Sequence, residues 1–212
     1  VVLPIPDSLS FENAAAAPLV FLTAWSMMIG KGNIRPGEDV LILGVGAGVG
    51  TAALQIAKMV GCRVFATASS EEKLERAKQL GADFVINYKT DEFDRKIREL
   101  THKRGVDVVV DYIGADTWVR SLRSARRGGR VLTCGATSGF APQTDLRQIF
   151  FRQVQVIGST MGSHREFLDV MRCIFRGQLK PIIDRVLPLS EAWKAHELVE
   201  GRSVFGKIVL TP

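Results

Sequence analysis

The chain has 212 residues, of which 46% are hydrophobic and 24% charged, and its formal net charge is +6. That length suits one large domain or one and a half, and the composition is ordinary for a globular chain rather than a fibrous or disordered one. No run of about 18 apolar residues and no signal peptide is visible, which argues against a membrane span and for a cytoplasmic protein.

Val1 to Leu9 reads as a linker punctuated by Pro4 and Pro6, and its first residue is not methionine, so the chain reads as the interior of something longer. A helix is predicted from Ser10, with Ser10 as its cap and Glu12 in the first turn. The run AAAAPLVFLTAW carries it to Met28, and Pro18 predicts a break or kink because proline cannot donate to the helical ladder. Lys31 to Glu38 contains Gly32, Pro36 and Gly37 and is predicted as a loop.

Asp39 to Gly50, DVLILGVGAGVG, organises the rest of the chain. Four apolar residues, Val40 to Leu43, run into glycines at 44, 46, 48 and 50. A helical stripe of Val49, Ala52, Ala53, Ile56, Ala57 and Val60 comes next. Strand, glycine turn and amphipathic helix form the opening unit of a dinucleotide-binding fold. There the glycines admit a pyrophosphate to the backbone, and the helix N-terminus offers it free N–H groups. The G-x-G-x-x-G spacing is not met from Gly44 or from Gly46, so a tight turn that binds nothing is the competing reading of this stretch alone.

Strand and helix then alternate. Strands are predicted at Arg63 to Ala68, Asp83 to Asn87, Val106 to Ile113, Arg130 to Cys134 and Val154 to Ser159. Helices are predicted at Glu71 to Leu80, Asp91 to Thr101, Thr117 to Arg126, Thr144 to Gln153 and Arg165 to Arg176. This alternation predicts an α/β, doubly wound Rossmann fold: a six-stranded parallel sheet with helices on both faces. In the strand order 3-2-1-4-5-6 the switch point lies between strands one and four. The ends that meet there are Gly44 to Gly50, Ala68 to Ser70, Ile113 to Gly114 and Cys134 to Thr137.

The end of strand two bears on the cofactor. NAD-binding members of this fold place a carboxylate there for the ribose 2′-hydroxyl. This chain has Thr67, Ala68, Ser69 and Ser70, with Lys73 one helical turn on. Small hydroxyl residues beside a lysine suit a 2′-phosphate, so NADP(H) is favoured over NAD(H). Ser70 as a helix cap and Lys73 as a surface residue is the plainer alternative.

The densest basic cluster, Arg120, Arg123, Arg126, Arg127 and Arg130, has no aromatic-rich surface interleaved with it. It reads as a solvated helix face and turn, which argues against a nucleic-acid partner. Cys62, Cys134 and Cys173 are odd in number and form no C-x-x-C pair, so they read as free thiols of a reducing compartment.

With these residues placed, the chain resembles the nucleotide-binding half of the medium-chain dehydrogenase/reductase superfamily, in its quinone oxidoreductase and zinc-binding alcohol dehydrogenase-like branch. The resemblance rests on LSFENAAAAPLVFLTAW, RPGEDVLILGVGAGVGTAALQIAK, SSEEKLERAKQLGADFVINYK, GVDVVVDYIGADTW, GGRVLTCGATSG and FGKIVL, in that order. It implies residues 1–35 as linker and entry helix, 36–185 as the dinucleotide-binding domain, and 186–212 as a segment returning to a catalytic domain that this chain lacks.

The resemblance also implies site residues. Thr23 would lie near the nicotinamide. Ala47, Gly48 and Val49, with Gly50 closing the glycine run, would hold the pyrophosphate. Ser69, Lys73 and Tyr88 would hold the 2′-phosphate. Ile113 and Gly114 would line the adenosine side, and Cys134, Gly135, Ala136 and Thr137 would bond the carboxamide. Arg202 and Lys207 would approach the phosphates. Leu19 stands where zinc-dependent relatives carry a cysteine ligand, and His102, His164 and His196 stand alone as surface or helix-packing residues. No metal ligand is therefore expected here, and catalytic residues are expected in the missing part.

The implied activity is hydride transfer from NADPH to a quinone or an α,β-unsaturated carbonyl, with a small molecule as substrate. The rivals are a zinc-dependent alcohol dehydrogenase and a non-catalytic nucleotide- or RNA-binding module. Strand Val154 to Ser159, apolar and at the sheet edge, is expected to pair across a two-fold axis into a homodimer.

Overall fold

A computed structural model describes residues 2–212. It opens on two short helices, α1 (Phe11–Ala16) and α2 (Pro18–Trp25). Ser10 caps α1 by accepting the Asn13 N–H. Pro18 breaks the apolar run as its chemistry requires: it starts α2 at the first helical position, where a missing N–H is no loss. The end of this segment widens into a π-helical turn, Ser26–Lys31.

The alternating elements are β1 (Asp39–Ile42), α3 (Gly48–Val60), β2 (Arg63–Ala68), α4 (Glu71–Gln79), β3 (Phe84–Asn87) and α5 (Phe93–Leu100). They continue as β4 (Val106–Val110), α6 (Trp118–Ser124), β5 (Ala125–Thr133), α7 (Arg147–Phe150), β6 (Gln155–Gly158) and α8 (His164–Phe175). The six strands form one parallel sheet in the order β3-β2-β1-β4-β5-β6.

Alternate strand residues bury opposite faces. Val40, Ile42, Val64, Ala66, Val108, Val110 and Leu132 pack on the side of α2, α3, α4 and α8. Leu41, Leu43, Phe65, Val109 and Val131 pack with Phe93 and Ile97 of α5 and Leu122 of α6. Both faces are covered, so the strands read as continuous apolar runs.

Three elements differ from expectation, each for a local reason. β4 stops at Val110, not Ile113, because the buried Asp111 carboxylate accepts the Ile113 and Gly114 N–H groups and the Thr117 and Ser121 hydroxyls, which turns the chain. β5 starts at Ala125, not Arg130: Ala125 pairs with Val106 and Arg130 with Val108, and the residues between Ala125 and Arg130 bulge from β5. Arg126 therefore lies in the sheet, paired with Asp107, and Arg130 pairs with Glu38. These two arginines are not part of a solvated helix face. α7 keeps only four residues of the predicted Thr144 to Gln153 helix.

Beyond α8 the chain builds a second sheet. β7 (Ile183–Pro188) and β8 (Lys207–Thr211) pair in parallel, joined through α9 (Ala192–Glu200). β7 begins inside the range expected for the dinucleotide-binding domain. β8 does not cover β6, which remains the terminal strand of the large sheet.

Candidate functional site: a cleft at the switch point

The C-terminal ends of β1 and β2, the loop after β4 and the α9–β8 segment enclose a cleft of about 830 Å³. Its floor is the glycine turn. Gly44 has φ +60°, a left-handed conformation that glycine takes without strain. Its N–H donates to Thr67 Oγ1 at 3.0 Å, and its carbonyl accepts the Tyr112 hydroxyl at 2.8 Å. Burial pushes the Tyr112 phenol well above its ordinary pKa. Tyr112 therefore holds the turn as a neutral donor and keeps its proton near neutral pH.

At Gly48 the case for glycine is close approach. A Cβ there would sit 2.8 Å from Lys207 Cδ and 2.9 Å from Val20 Cγ1. Thr51 N–H is the first of this segment to bond back, to Ala47 O at 2.9 Å. The N–H groups of Gly48, Val49 and Gly50 thus precede the helical ladder and carry the positive end of the α3 dipole. Gly50 serves packing instead. It is buried, and a Cβ there would meet the Tyr112 hydroxyl at 2.5 Å.

The cleft wall gathers Ala47, Gly48, Val49, Ser69, Lys73, Tyr88, Ile113, Thr137, Arg202 and Lys207 from the predicted set. Thr23, Gly50, Gly114, Cys134, Gly135 and Ala136 are not on it. Thr23 is buried on α2 and donates to Leu19 O at 2.7 Å. Gly114 has φ +96°, and a Cβ there would sit 2.9 Å from Ala136 Cα, so the turn needs glycine. Cys134 is half-buried, and burial raises its thiol to about 11.

Sequence reasoning missed Val20, Tyr112 and the whole face of α9. Ala192, Ala195, His196, Val199 and Glu200 complete the wall, with Val204 and Gly206 beside them. His196 is exposed, as expected of a surface residue, yet it faces this cleft. The i, i+3, i+4 spacing of Ala192, Ala195 and His196 was the available signal.

The cleft is also short of anions. Lys73, Arg202 and Lys207 form no ion pair among the described residues. Lys73 Nζ donates to Arg202 O at 2.5 Å, one bond for a group with three donors. Burial lowers the Lys73 pKa, a pull that Asp184 and Glu72 only partly offset. No carboxylate stands at the end of β2, where Ala68 is buried. An elongated anionic ligand fits this lining: free N–H groups beside the Lys207 stem at Gly48 for one phosphate, lysine and serine for another, apolar walls between. Among the described residues no three His, Cys, Asp or Glu side chains converge, and Leu19 is an exposed apolar side chain, so this donor set does not fit zinc.

The zinc-binding dehydrogenase family profile matches residues 48–176. A zinc-type alcohol dehydrogenase-like protein of Schizosaccharomyces pombe is 35% identical, over 97% of this chain and 61% of its own length. The quinone oxidoreductase of Rattus norvegicus is 31% identical, over 98% of this chain and 64% of its own. A solved NAD-dependent alcohol dehydrogenase superposes with a TM-score of 0.94 at 46% identity, covering 99% of this chain and 61% of that one. The crotonyl-CoA carboxylase/reductase AntE, solved with NADP, gives 0.92 at 29% identity, over 98% and 58%. The chain thus spans about three fifths of the length of these relatives (61% of the first). It belongs to the zinc-binding dehydrogenase family and constitutes the nucleotide-binding part of the medium-chain dehydrogenase/reductase superfamily.

Proposed function

We propose that this chain is the cofactor-binding part of an NADPH-dependent oxidoreductase that reduces a quinone or an α,β-unsaturated carbonyl. The observation that carries the reading is the pairing of the unpartnered N–H groups at the α3 N-terminus, flanked by the Lys207 stem, with an under-bonded Lys73 in the first turn of α4. NADPH when bound supplies the hydride. The protein's residues bind and orient it. The N–H groups of Gly48 and Val49 hold the diphosphate, with Lys207 and Arg202 approaching from the C-terminal segment. Ser69, Lys73 and Tyr88 take the 2′-phosphate. Ile113 and Thr137 border the remaining length of the cofactor, and α9 shields it from water.

The rat quinone oxidoreductase and the NADP complex of AntE support this reading. The 46% identity to an NAD-dependent alcohol dehydrogenase favours a second one, an NAD-linked dehydrogenase built on the same cleft. Titration with NADPH and NADH separates them. The first reading expects NADPH to bind more tightly, with Lys73→Ala removing that advantage. Equal affinities that Lys73→Ala lowers equally would favour the second.

The proposal extends to assembly, substrate and compartment. Residues 186–212 return to a catalytic domain that carries the proton donor, in a cytoplasmic enzyme acting on a small molecule. Val154 to Ser159 forms the homodimer contact: β6 is a terminal strand, and Val156 is 41% exposed on it. Wild type is expected to sediment as a dimer and Ile157→Lys as a monomer; a monomeric wild type contradicts this.

A further inference from the structure

The segment from Arg202 to Lys207 crosses the glycine turn as a strap. Gly206 N–H donates to Gly46 O at 2.8 Å, and Ala47 bridges Gly206 in parallel. Gly206 has φ +104°, and a Cβ there would collide with the Ile182 carbonyl, so only glycine makes this crossing. The next residue, Lys207, lays its stem against Gly48. The strap meets the turn through this backbone pairing, the Lys207 stem at Gly48 and the Phe205 ring beside Gly46.

Lys73 Nζ holds the start of the strap through Arg202 O from within the cleft, and a second anchor lies outside the cleft wall. Phe205 is 1% exposed, and its N–H donates to Asp184 Oδ1 at 3.0 Å. The Arg76 guanidinium stacks over the Phe205 ring at 4.3 Å and reaches Asp184 Oδ1 at 3.4 Å. Asp184 comes from β7 and Arg76 from α4, so two separate elements converge on one strap residue. The Asp184 side chain is only 7% exposed. Burial raises its pKa, but the Phe205 N–H, Arg185 and Arg76 together outweigh this and leave it lowered, so it is an anion at neutral pH. Neither Asp184 nor Arg76 lines the cleft.

We infer that Asp184 and Arg76 are positioning residues: they clamp Phe205 so that Gly206 and Lys207 are held over the N-terminus of α3, where a diphosphate would bind. This rests on the dinucleotide reading of the cleft. An ammonium on a flexible stem gains affinity for a fixed phosphate when its backbone is pre-placed, since less ordering remains for the binding step. The clamp acts one and two residues away from the groups it places, and it contributes no atom to the ligand.

The test uses Asp184→Ala, Asp184→Asn, Arg76→Lys and Lys207→Ala, with two readouts: NADPH affinity by calorimetry and amide exchange at Gly206 by NMR. Asp184→Ala is expected to weaken NADPH about tenfold, the order of one charge-assisted bond, and to speed Gly206 exchange about tenfold or more. Asp184→Asn keeps an acceptor for Phe205 N–H and is expected to lose less, as is Arg76→Lys, which keeps charge and loses the stack. The decisive comparison is the double variant of Asp184→Ala with Lys207→Ala. If the clamp works through Lys207, the double variant binds no worse than Lys207→Ala alone. Additive losses, or unchanged Gly206 exchange in Asp184→Ala while NADPH still binds the wild type, overturn the clamp alone. A wild type that binds neither NADPH nor NADH overturns the reading of the cleft and this inference with it.

Discussion

The two ends of the parallel sheet carry charge in opposite ways. At the N-terminal end, Asp39 and Asp107 are buried and saturated. Asp39 takes Arg63 at 2.7 Å and Arg104 at 3.4 Å. Asp107 takes Arg104 at 2.7 Å, Arg126, and the Asp39 N–H at 2.9 Å. At the C-terminal end, Lys73, Arg202 and Lys207 face a cleft whose floor is backbone N–H. One end has spent its charges on itself, and the other keeps cations in want of an anion. Charge density alone separates binding from scaffold poorly; whether the charges are already paired separates them well.

The largest effect that would break this contrast is steric. Gly48→Val puts a branched side chain where even a Cβ meets Val20 at 2.9 Å. Dinucleotide affinity is expected to fall about a hundredfold or more while far-UV circular dichroism stays native, because the phosphate loses its approach to the backbone. A variant that still binds would show that the turn is not the phosphate site.

At the opposite end the expected response is in stability, not binding. Arg104, Arg126 and the Asp39 N–H outweigh the opposing effect of burial and hold the Asp107 carboxyl down at about 2. Its folded pKa lies below the unfolded value near 3.8. The stabilisation is therefore fully present above the unfolded value and is lost as pH falls toward the folded one. Asp107→Asn is expected to cost about 1–3 kcal/mol at neutral pH and to flatten the acid limb of the melting curve, with NADPH affinity unchanged. A loss of affinity as large as that of Gly48→Val would mean that the two ends are not independent.

A smaller effect sharpens the contrast within the cleft. Lys73→Ala is expected to weaken NADPH about tenfold, as for one charge-assisted bond, and NADH hardly at all. Paired calorimetric titrations read the difference. Equal losses for both cofactors would remove Lys73 from the 2′-phosphate.

Much of this was legible in the residues. Continuous apolar strands between amphipathic helices define a doubly wound sheet, and the order β3-β2-β1-β4-β5-β6 is the one they predict. The glycine turn and Ser69 sit at strand ends and Lys73 one helical turn on, where local sequence and topology agree. What escaped was made by distant pairing. Arg126 and Arg130 read as helix and turn because their partners, Asp107 and Glu38, come from other elements. The early end of β4 depends on one aspartate side chain, Asp111, capturing backbone that the apolar pattern would have continued. The spacing of Ala192, Ala195 and His196 marked a helix face, but only tertiary packing sets that face against the glycine turn. Asp184 and Phe205 meet across a sequence gap that no periodicity spans.

The most direct test of the contrast between the two ends is an amide chemical-shift map of the protein titrated with NADPH. The account predicts saturable shifts at Gly46, Gly48, Val49, Ser69, Lys73 and Gly206, with Asp39, Arg63, Arg104 and Asp107 unmoved. Shifts centred on the arginine–aspartate end, or none at all with NADPH and NADH alike, would contradict it.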